Sequence, residues 1–328
     1  MNIPLFIAAL FAGAAVIALL AWRGRQRRGF WLRLALAAGL VVALSACVLV
    51  NAVVFSKAYT LVYPGKTPAQ AKPESAGIND YLDVRFTTPD GYHLAAWYLP
   101  PENGAVVIAA HGFAANRAHF LPEAAALQQA GFGVLLYDAR WAGESDGSLH
   151  TFGLQEVGDI RGALDFLRGK PGIDPARIGL LGHSSGSSTA LHAAAQIPTI
   201  AAVAAQSTFT SLEDNIDAGM RVLVGLPPFP FAPLMILYGE SISGLDMHAV
   251  RPIEQVGQIA PRPLLLIQGA EDNLTTPDNA RAIFAAAGEP KELYLVPGAG
   301  HDTILVVGGQ AYLDKLVDFF RVNLLANH

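Results

Sequence analysis

The sequence has 328 residues, of which 52% are hydrophobic and only 15% are charged, against a usual charged share of about a quarter. Its formal charge of −5 shows no basic excess, which argues against a nucleic-acid partner. The single cysteine, Cys47, excludes an intramolecular disulfide framework and any zinc site built from several cysteines. We therefore expect one globular domain, together with apolar segments that lie in lipid.

The N-terminal region contains two long apolar runs. Residues 3–22 carry no charge, and at about 1.5 Å per residue a helix of this length spans roughly the 30 Å of a bilayer's hydrocarbon core. Residues 34–55 form a second run of similar length, preceded by Phe30 and Trp31, aromatic residues that favour the membrane interface. Residues 1–57 are therefore predicted to be a membrane anchor formed by a transmembrane helical hairpin.

The segment that joins the two runs is rich in arginine: Arg23, Arg25, Arg27, Arg28 and Arg33. Such clusters are retained on the cytoplasmic side, so the chain after Lys57 is predicted to lie on the non-cytoplasmic face. One alternative is a lipoprotein attached at Cys47, because Leu44–Cys47 resembles a lipid-attachment box, although the apolar residues Val48–Phe55 argue against it. Another is a cleaved signal peptide, for which Met1–Ile3 offers no positive charge.

Residues 58–79 contain several prolines and glycines with little periodicity, which predicts a linker. After it, short apolar or β-branched runs predict eight strands: Tyr81–Thr87, Leu94–Leu99, Val106–Ala109, Val134–Tyr137, Ile178–Leu181, Ala201–Ala205, Leu264–Gln268 and Leu293–Val296. Helix-length segments are predicted between and after the later runs: Arg117–Ala130, Leu154–Arg168, Ser185–Gln196, Pro277–Ala287 and Gln310–Leu325. An Asp90-Gly91 turn predicts an antiparallel hairpin at the start. Residues 80–328 thus form an α/β domain with a mostly parallel twisted sheet and helices on both faces.

A candidate nucleophile follows the fifth predicted strand. Gly182-His183-Ser184-Ser185-Gly186 stands between the run Ile178–Leu181 and a helical segment. A strand that turns sharply into a helix strains the middle residue and requires small flanking residues. Open α/β sheets carry their chemistry at the carboxyl ends of strands, where Ser184 is predicted to lie.

Four further segments, together with this motif, resemble the α/β-hydrolase superfamily in the same order: His111–Phe113, Asp138–Ser145, Gln268–Asp272 and Gly298–His301. The resemblance covers residues 81–325 and implies an α/β-hydrolase fold with a catalytic triad. The chain departs from the family in the second segment, where Trp141 replaces a common glycine. That departure affects a turn, not the chemistry.

The triad needs a base and an orienting carboxylate, because a serine hydroxyl is a weak nucleophile. His301 follows the last predicted strand, where the family has its catalytic histidine, and Asp272 follows the strand Leu264–Gln268. The resulting order of Ser184, Asp272 and His301 is the one expected for this fold. Three other carboxylates lie near the triad residues in the sequence. Asp278 is interpreted as a charge in the first turn of a helix, and Glu271 and Asp302 as solvated surface charges.

The resemblance also implies an oxyanion hole formed by the backbone N–H groups of Phe113 and Ser185. His111 is interpreted as a brace between loops. The sequence contains no glycine-rich phosphate loop and no metal-ligand cluster, so neither a cofactor nor a metal is expected.

The segment of about residues 207–260 is longer than a simple crossover between two strands requires, which predicts a helical cap. Its apolar stretch from Met220 to Ile236 is suited to lining an acyl pocket, to entering the membrane interface, or to packing on the sheet. The predicted function is a serine hydrolase that cleaves carboxylic ester or thioester bonds of a small acyl substrate, and a lipophilic acyl group is a hypothesis that the cap suggests. The alternatives are a serine peptidase or amidase of the same fold and a catalytically silent, membrane-tethered interaction protein, and the sequence alone does not separate ester from amide substrates.

Overall fold

The computed structural model describes residues 29–325. The chain divides into two compact units, the first ending at Lys57 and the second beginning at Ala58. The first predicted span, residues 3–22, and the arginines from Arg23 to Arg28 lie outside the described residues. The hairpin therefore stays a prediction.

The described part of the chain begins with one long helix, α1 (Phe30–Val62). It contains the predicted second run, residues 34–55, and its leucine-, alanine- and valine-rich sequence has no proline to interrupt it. An 18-residue window of α1 has a mean hydropathy of 2.5 and is 6% buried. By length and composition, α1 is the one helix among residues 29–325 that is suited to crossing a membrane.

The second unit is built on an eight-stranded sheet. Its strands are β1 (Leu82–Thr87), β2 (His93–Leu99), β3 (Val106–Ala110), β4 (Gly133–Tyr137), β5 (Ile178–His183), β6 (Ala202–Gln206), β7 (Leu264–Gly269) and β8 (Lys291–Val296). Their spatial order is β1-β2-β4-β3-β5-β6-β7-β8. The β1–β2 and β2–β4 pairs are antiparallel and all the others are parallel, which confirms the predicted mostly parallel sheet with an antiparallel start.

Helices follow the parallel strands: α2 (Leu121–Gln129), α3 (Val157–Arg168), α4 (Ser185–Gln196), α8 (Pro277–Ala286) and α9 (Ile304–Leu325). Helix α2 begins four residues later than the predicted Arg117–Ala130, with a proline in its first turn, where the missing N–H costs nothing. Helix α9 begins earlier than the predicted Gln310, because it continues across a non-helical kink at Gly309.

The sheet is covered on both faces. Successive β3 side chains alternate between two buried clusters, with Val106 and Ile108 in one and Val107 and Ala109 in the other, as the two-residue period of a strand requires. The first cluster is completed by α3 and α4, and the second by α2 and α9. This explains why the central strands β4, β3, β5 and β6 are buried at every position and are mostly apolar.

The predicted helical cap lies between β6 and β7. It consists of α5 (Leu212–Gly219), a π-helical turn (Met220–Val224), α6 (Pro228–Ser243), a 3₁₀ turn (Met247–Ala249), α7 (Pro252–Gln255) and a second 3₁₀ turn (Val256–Ile259). Residues 63–79, the greater part of the predicted linker, are irregular apart from a 3₁₀ turn at Pro73–Ala76. The end of this segment packs on the domain, because Ile78 is fully buried in the second cluster.

Candidate active site

Ser184 occupies a strained turn between β5 and α4. Its φ of 52° lies in the left-handed region, which residues other than glycine rarely adopt. A Cβ added at Gly182 would lie 2.3 Å from the carbonyl oxygen of Gly186, and one at Gly186 would lie 2.1 Å from that of Ala110. Both positions therefore admit only glycine, and the predicted sharp turn is present.

The structure brings together the three side chains predicted to form the triad. His301 Nε2 lies 3.1 Å from Ser184 Oγ, and His301 Nδ1 lies 2.9 Å from Asp272 Oδ2. Ser184 follows β5, while Asp272 and His301 lie in the loops after β7 and β8, so all three stand at the carboxyl edge of the sheet. The three residues, far apart in the sequence, form one continuous hydrogen-bonded chain.

Asp272 is buried and its two oxygens are fully engaged. Oδ1 accepts hydrogen bonds from the backbone N–H groups of Leu274 and Thr275, both at 2.9 Å. Oδ2 accepts from Thr275 Oγ1 at 2.8 Å and from Gln268 Nε2 at 2.9 Å. Burial opposes ionisation of Asp272, but the hydrogen bonds from His301 and Thr275 outweigh it and lower the pKa of the carboxyl. Asp272 is thus held as an oriented anion.

Thr275 and Gln268 were not singled out from the sequence. Thr275 Oγ1 also lies 3.1 Å from His301 Nδ1, so this threonine contacts both members of the aspartate–histidine pair. A local signal for it exists, because a threonine three residues after an aspartate fits a turn in which the carboxylate accepts nearby backbone N–H groups. Gln268 opens the segment Gln268–Asp272 that resembles the family, but no local pattern indicates which group its side chain would contact.

Asp302 is more than a solvated neighbour of His301. Its side chain is 78% exposed, but Oδ1 lies 3.2 Å from His183 Nε2, and this hydrogen bond lowers the pKa of Asp302. His183 stacks on His119 with 4.8 Å between ring centroids. Burial lowers the pKa of His183, and it lowers that of His119 to about 3, so both rings are neutral near pH 7. A second link therefore joins the loop of His301 to the turn of Ser184.

The ligand atoms of His183, His301 and Asp302 lie within 4.8 Å of one another, a spacing compatible with a metal ion. The facing nitrogens are already engaged, however, His183 Nε2 with Asp302 and His301 Nε2 with Ser184. The arrangement is complete as a hydrogen-bonded group, and we assign no metal to it.

The backbone N–H groups of Phe113 and Ser185 are the two that were expected to form an oxyanion hole. Ser185 is the first residue of α4, so its N–H has no acceptor within the helix. Gly112, the residue before Phe113, packs directly on the turn, because a Cβ at Gly112 would lie 3.5 Å from Ser184 Cβ. Phe113 thus follows a residue in contact with the nucleophile.

His111 joins the loops that follow β3 and β4. Its Nδ1 lies 2.9 Å from the carbonyl oxygen of Gly112, and its Nε2 accepts a hydrogen bond from the backbone N–H of Ala139 at 3.1 Å. Trp141, the departure from the family pattern, is 2% exposed and places its ring 5.2 Å from that of His111 and 4.4 Å from that of His150. Both observations agree with the interpretation of His111 as a brace.

A polar cleft of about 480 Å³ lies between α5 and the start of α8. Its lining includes Asp214, Asp217, Arg221 and Asn273, the last of which follows Asp272 directly. The segment from Met220 to Ile236 contributes only Arg221 and Val222 to this lining, and of these two only Val222 is apolar. An acyl pocket lined by that stretch stays a prediction.

Comparisons with known proteins agree with the fold. The family model for the alpha/beta hydrolase fold matches residues 105–229. An uncharacterized protein of Mycobacterium tuberculosis, Rv2307c, is 33% identical over 287 residues, which cover 85% of this chain and 93% of the relative. The uncharacterized protein YfhR of Escherichia coli K12 is 29% identical over 248 residues, covering 72% of this chain and 79% of the relative.

A similar solved structure is that of the Pyrococcus furiosus esterase Pf2001. It matches with a TM-score of 0.69 and 24% sequence identity, over 80% of this chain and 98% of the esterase. This likeness concerns the fold, which the two proteins share over nearly the whole length of the esterase.

Proposed function

Because this chain belongs to the α/β-hydrolase family, we propose that it is a serine hydrolase that cleaves carboxylic ester or thioester bonds. The observation that carries the proposal is the hydrogen-bonded chain from Asp272 through His301 to Ser184. This arrangement supplies a nucleophile, a base within reach of its proton, and a buried anion that orients the base.

The first half of the reaction forms an acyl-enzyme. His301 Nε2 takes the proton of Ser184 Oγ while Oγ attacks the carbonyl carbon of the substrate. Asp272 stabilises the imidazolium that results. The backbone N–H groups of Phe113 and Ser185 donate to the developing oxyanion, which typically contributes about a hundredfold or more in rate per donor. The leaving alcohol or thiol then takes the proton from His301 as its bond to the acyl carbon breaks.

The second half regenerates the enzyme. A water molecule gives a proton to His301 Nε2 and attacks the acyl carbon, and the bond to Ser184 Oγ breaks as Oγ recovers its proton. The products are a carboxylic acid and the free serine. All the groups that this cycle needs belong to the chain itself, so the proposal includes no cofactor.

We further infer that α1 anchors the enzyme in a membrane, and that the second unit lies on the non-cytoplasmic face. The length and mean hydropathy of α1 support the anchor, and the arginines from Arg23 to Arg33 support the orientation. An enzyme tethered in this way meets lipophilic acyl substrates at a high local concentration. A nucleic-acid substrate has no support in the charge of the chain.

The test is labelling of the full-length protein in membranes with a fluorophosphonate probe, which reacts with activated serines. Wild type should be labelled and Ser184→Ala should not. Ser185→Ala is the matched control, since its proposed contribution is a backbone N–H, and it should retain labelling. Failure to label a folded wild type would instead favour the silent interaction protein.

A series of p-nitrophenyl esters then defines the acyl preference. Faster turnover of octanoyl than of acetyl esters supports a lipophilic substrate, and the reverse order contradicts it. Turnover of peptide or simple amide substrates at rates equal to those of esters would replace the esterase proposal with the peptidase or amidase of the same fold.

A further inference from the structure

One segment of the cap exposes several large apolar side chains. From Val222 to Gly239 the sequence contains no charged residue. Six large apolar side chains of this segment are exposed, and we call them the cap patch: Val222 (49% exposed), Leu223 (73%), Val224 (45%), Leu226 (40%), Phe229 (79%) and Leu237 (56%). Single exposed apolar residues are ordinary on protein surfaces, but a cluster in consecutive sequence marks an interaction surface.

The cap patch is not needed to attach the cap to the domain. Another set of side chains from the same segment performs that function, because Ala232, Met235 and Ile236 are almost fully buried. Helix α6 therefore has one face turned to the protein, while its residues Phe229 and Leu237 face solvent. The exposed set remains available to a partner.

The end of α1 lies beside the same cap helix. Ala58 and Val62 belong to the second unit and are fully buried in it. The carbonyl oxygen of Val62 accepts the backbone N–H of His150 at 2.8 Å, and Val62 Cγ2 lies 4.0 Å from the position of a Cβ at Gly239 of α6. The apolar run of α1 ends at Phe55, about two helical turns before Val62. Helix α6 of the cap thus lies next to Val62, the residue at which α1 ends.

From these observations we propose that the cap patch docks on the lipid bilayer. The proposal rests on the inferred anchoring by α1, because a helix that enters the bilayer and ends against α6 keeps the cap within reach of lipid. Apolar side chains, without an intervening charge, insert at the boundary between head groups and acyl chains. The cap then faces the phase in which lipophilic acyl esters are dissolved, and these are the substrates that the chain-length series tests.

The test measures the contact of lipid with the patch in the full-length protein. In a Cys47→Ser background, Leu223→Cys and Phe229→Cys carry a nitrobenzoxadiazole fluorophore, and the protein is reconstituted in phosphatidylcholine vesicles with and without brominated acyl chains. The matched controls are Leu82→Cys and Val322→Cys, which replace apolar residues of β1 and α9 that are 52% and 64% exposed. Bromine quenches only fluorophores that contact the acyl region.

We expect at least twofold quenching at positions 223 and 229 and almost none at positions 82 and 322. Absence of quenching at the cap positions overturns the proposal, as does equal quenching at all four. Energy transfer between labelled copies without bromine quenching also overturns it, in favour of a second copy as the occupant. The result does not depend on turnover, so failed labelling of Ser184 contradicts the proposed function, whereas absent lipid quenching contradicts the docking.

Discussion

At the residue scale, the role of Asp272 separates the proposed triad from a chance grouping. Its four hydrogen-bond donors apart from His301 hold the carboxylate whether or not the histidine is charged. Asp272→Asn keeps the shape but presents an amide to His301 Nδ1, which favours the wrong tautomer of the imidazole. We expect kcat for the best ester substrate to fall about 10³- to 10⁴-fold with little change in KM.

Asp278→Asn is the matched control for this substitution. Asp278 lies six positions further along the chain, in the first turn of α8, where its 88% exposed side chain pairs with Arg281. An exposed pair of this kind contributes little, so kcat should change less than about twofold. Equal losses in the two variants would remove Asp272 from the triad.

The buried His150 makes stability depend on pH. Burial lowers its pKa to about 4, against about 6.5 in the unfolded chain. As pH falls from 6.5 towards 4, the unfolded state takes up a proton that the folded state does not, and the free energy of unfolding decreases by about 1.4 kcal/mol per pH unit. His150→Phe, which keeps an aromatic ring beside Trp141, should remove this part of the slope in chemical denaturation between pH 6.5 and 4.5.

His248 provides a control with the opposite sign. Its hydrogen bond with Glu213 raises the pKa of this exposed histidine, so the stabilisation is present at acidic pH and is lost as pH rises. This stabilisation is complete below about pH 6.5, where the histidine is charged in the unfolded chain as well, and it is lost only as pH rises through the raised pKa. His248→Asn should therefore lower the free energy of unfolding by a constant amount between pH 6.5 and 4.5 and leave the slope there unchanged. A changed slope over this range in His248→Asn, or an unchanged one in His150→Phe, would contradict the assignment.

At the scale of elements, the turn from β5 to α4 depends on close backbone contact. Because a Cβ at Gly186 would lie 2.1 Å from the carbonyl oxygen of Ala110 at the end of β3, Gly186→Ala forces the start of α4 away from the end of β3. We expect a loss of about 3 kcal/mol, the upper end of the usual range for overpacking. The melting temperature should fall by about 10 °C.

Gly169→Ala tests whether any glycine-to-alanine change has this effect. Gly169 follows α3 with a φ of −85°, and the nearest atom to an added Cβ is 3.8 Å away. The melting temperature of the Gly169→Ala variant should stay within about 2 °C of that of the wild type. A comparable loss in both variants would show that the destabilisation does not arise from the nucleophile turn.

The elements that sequence predicts well are those whose signal is local. Ser184 and its flanking glycines reveal the turn because strand, turn and helix adjoin in the chain, and the strands follow from short apolar runs. The link between His183 and Asp302 joins residues 119 positions apart, so no local pattern reveals it. The same holds for the cap, where composition shows an apolar stretch, but only packing separates the buried Met235 from the exposed Leu223.

At the scale of the whole molecule, the orientation in the membrane follows from the distribution of arginines. Lys72, an exposed residue of the second unit, is predicted to lie outside the cytoplasm, and Arg27 inside it. The measurement is labelling of intact bacterial cells with a membrane-impermeant maleimide, using single cysteines in a Cys47→Ser background. Lys72→Cys should be labelled in intact cells, and Arg27→Cys only after lysis.

Asn2→Cys decides between a hairpin and a single span, because a hairpin places residue 2 on the same side as residue 72, whereas a single span at α1 places it with residue 27. Labelling of Asn2→Cys in intact cells therefore supports two spans, and labelling only after lysis leaves α1 as the one span. The Cys47→Ser background tests the lipoprotein alternative at the same time. A lipoprotein would lose its membrane attachment with Cys47, whereas a protein anchored by α1 stays in the membrane fraction, because one serine costs little in a helix of mean hydropathy 2.5.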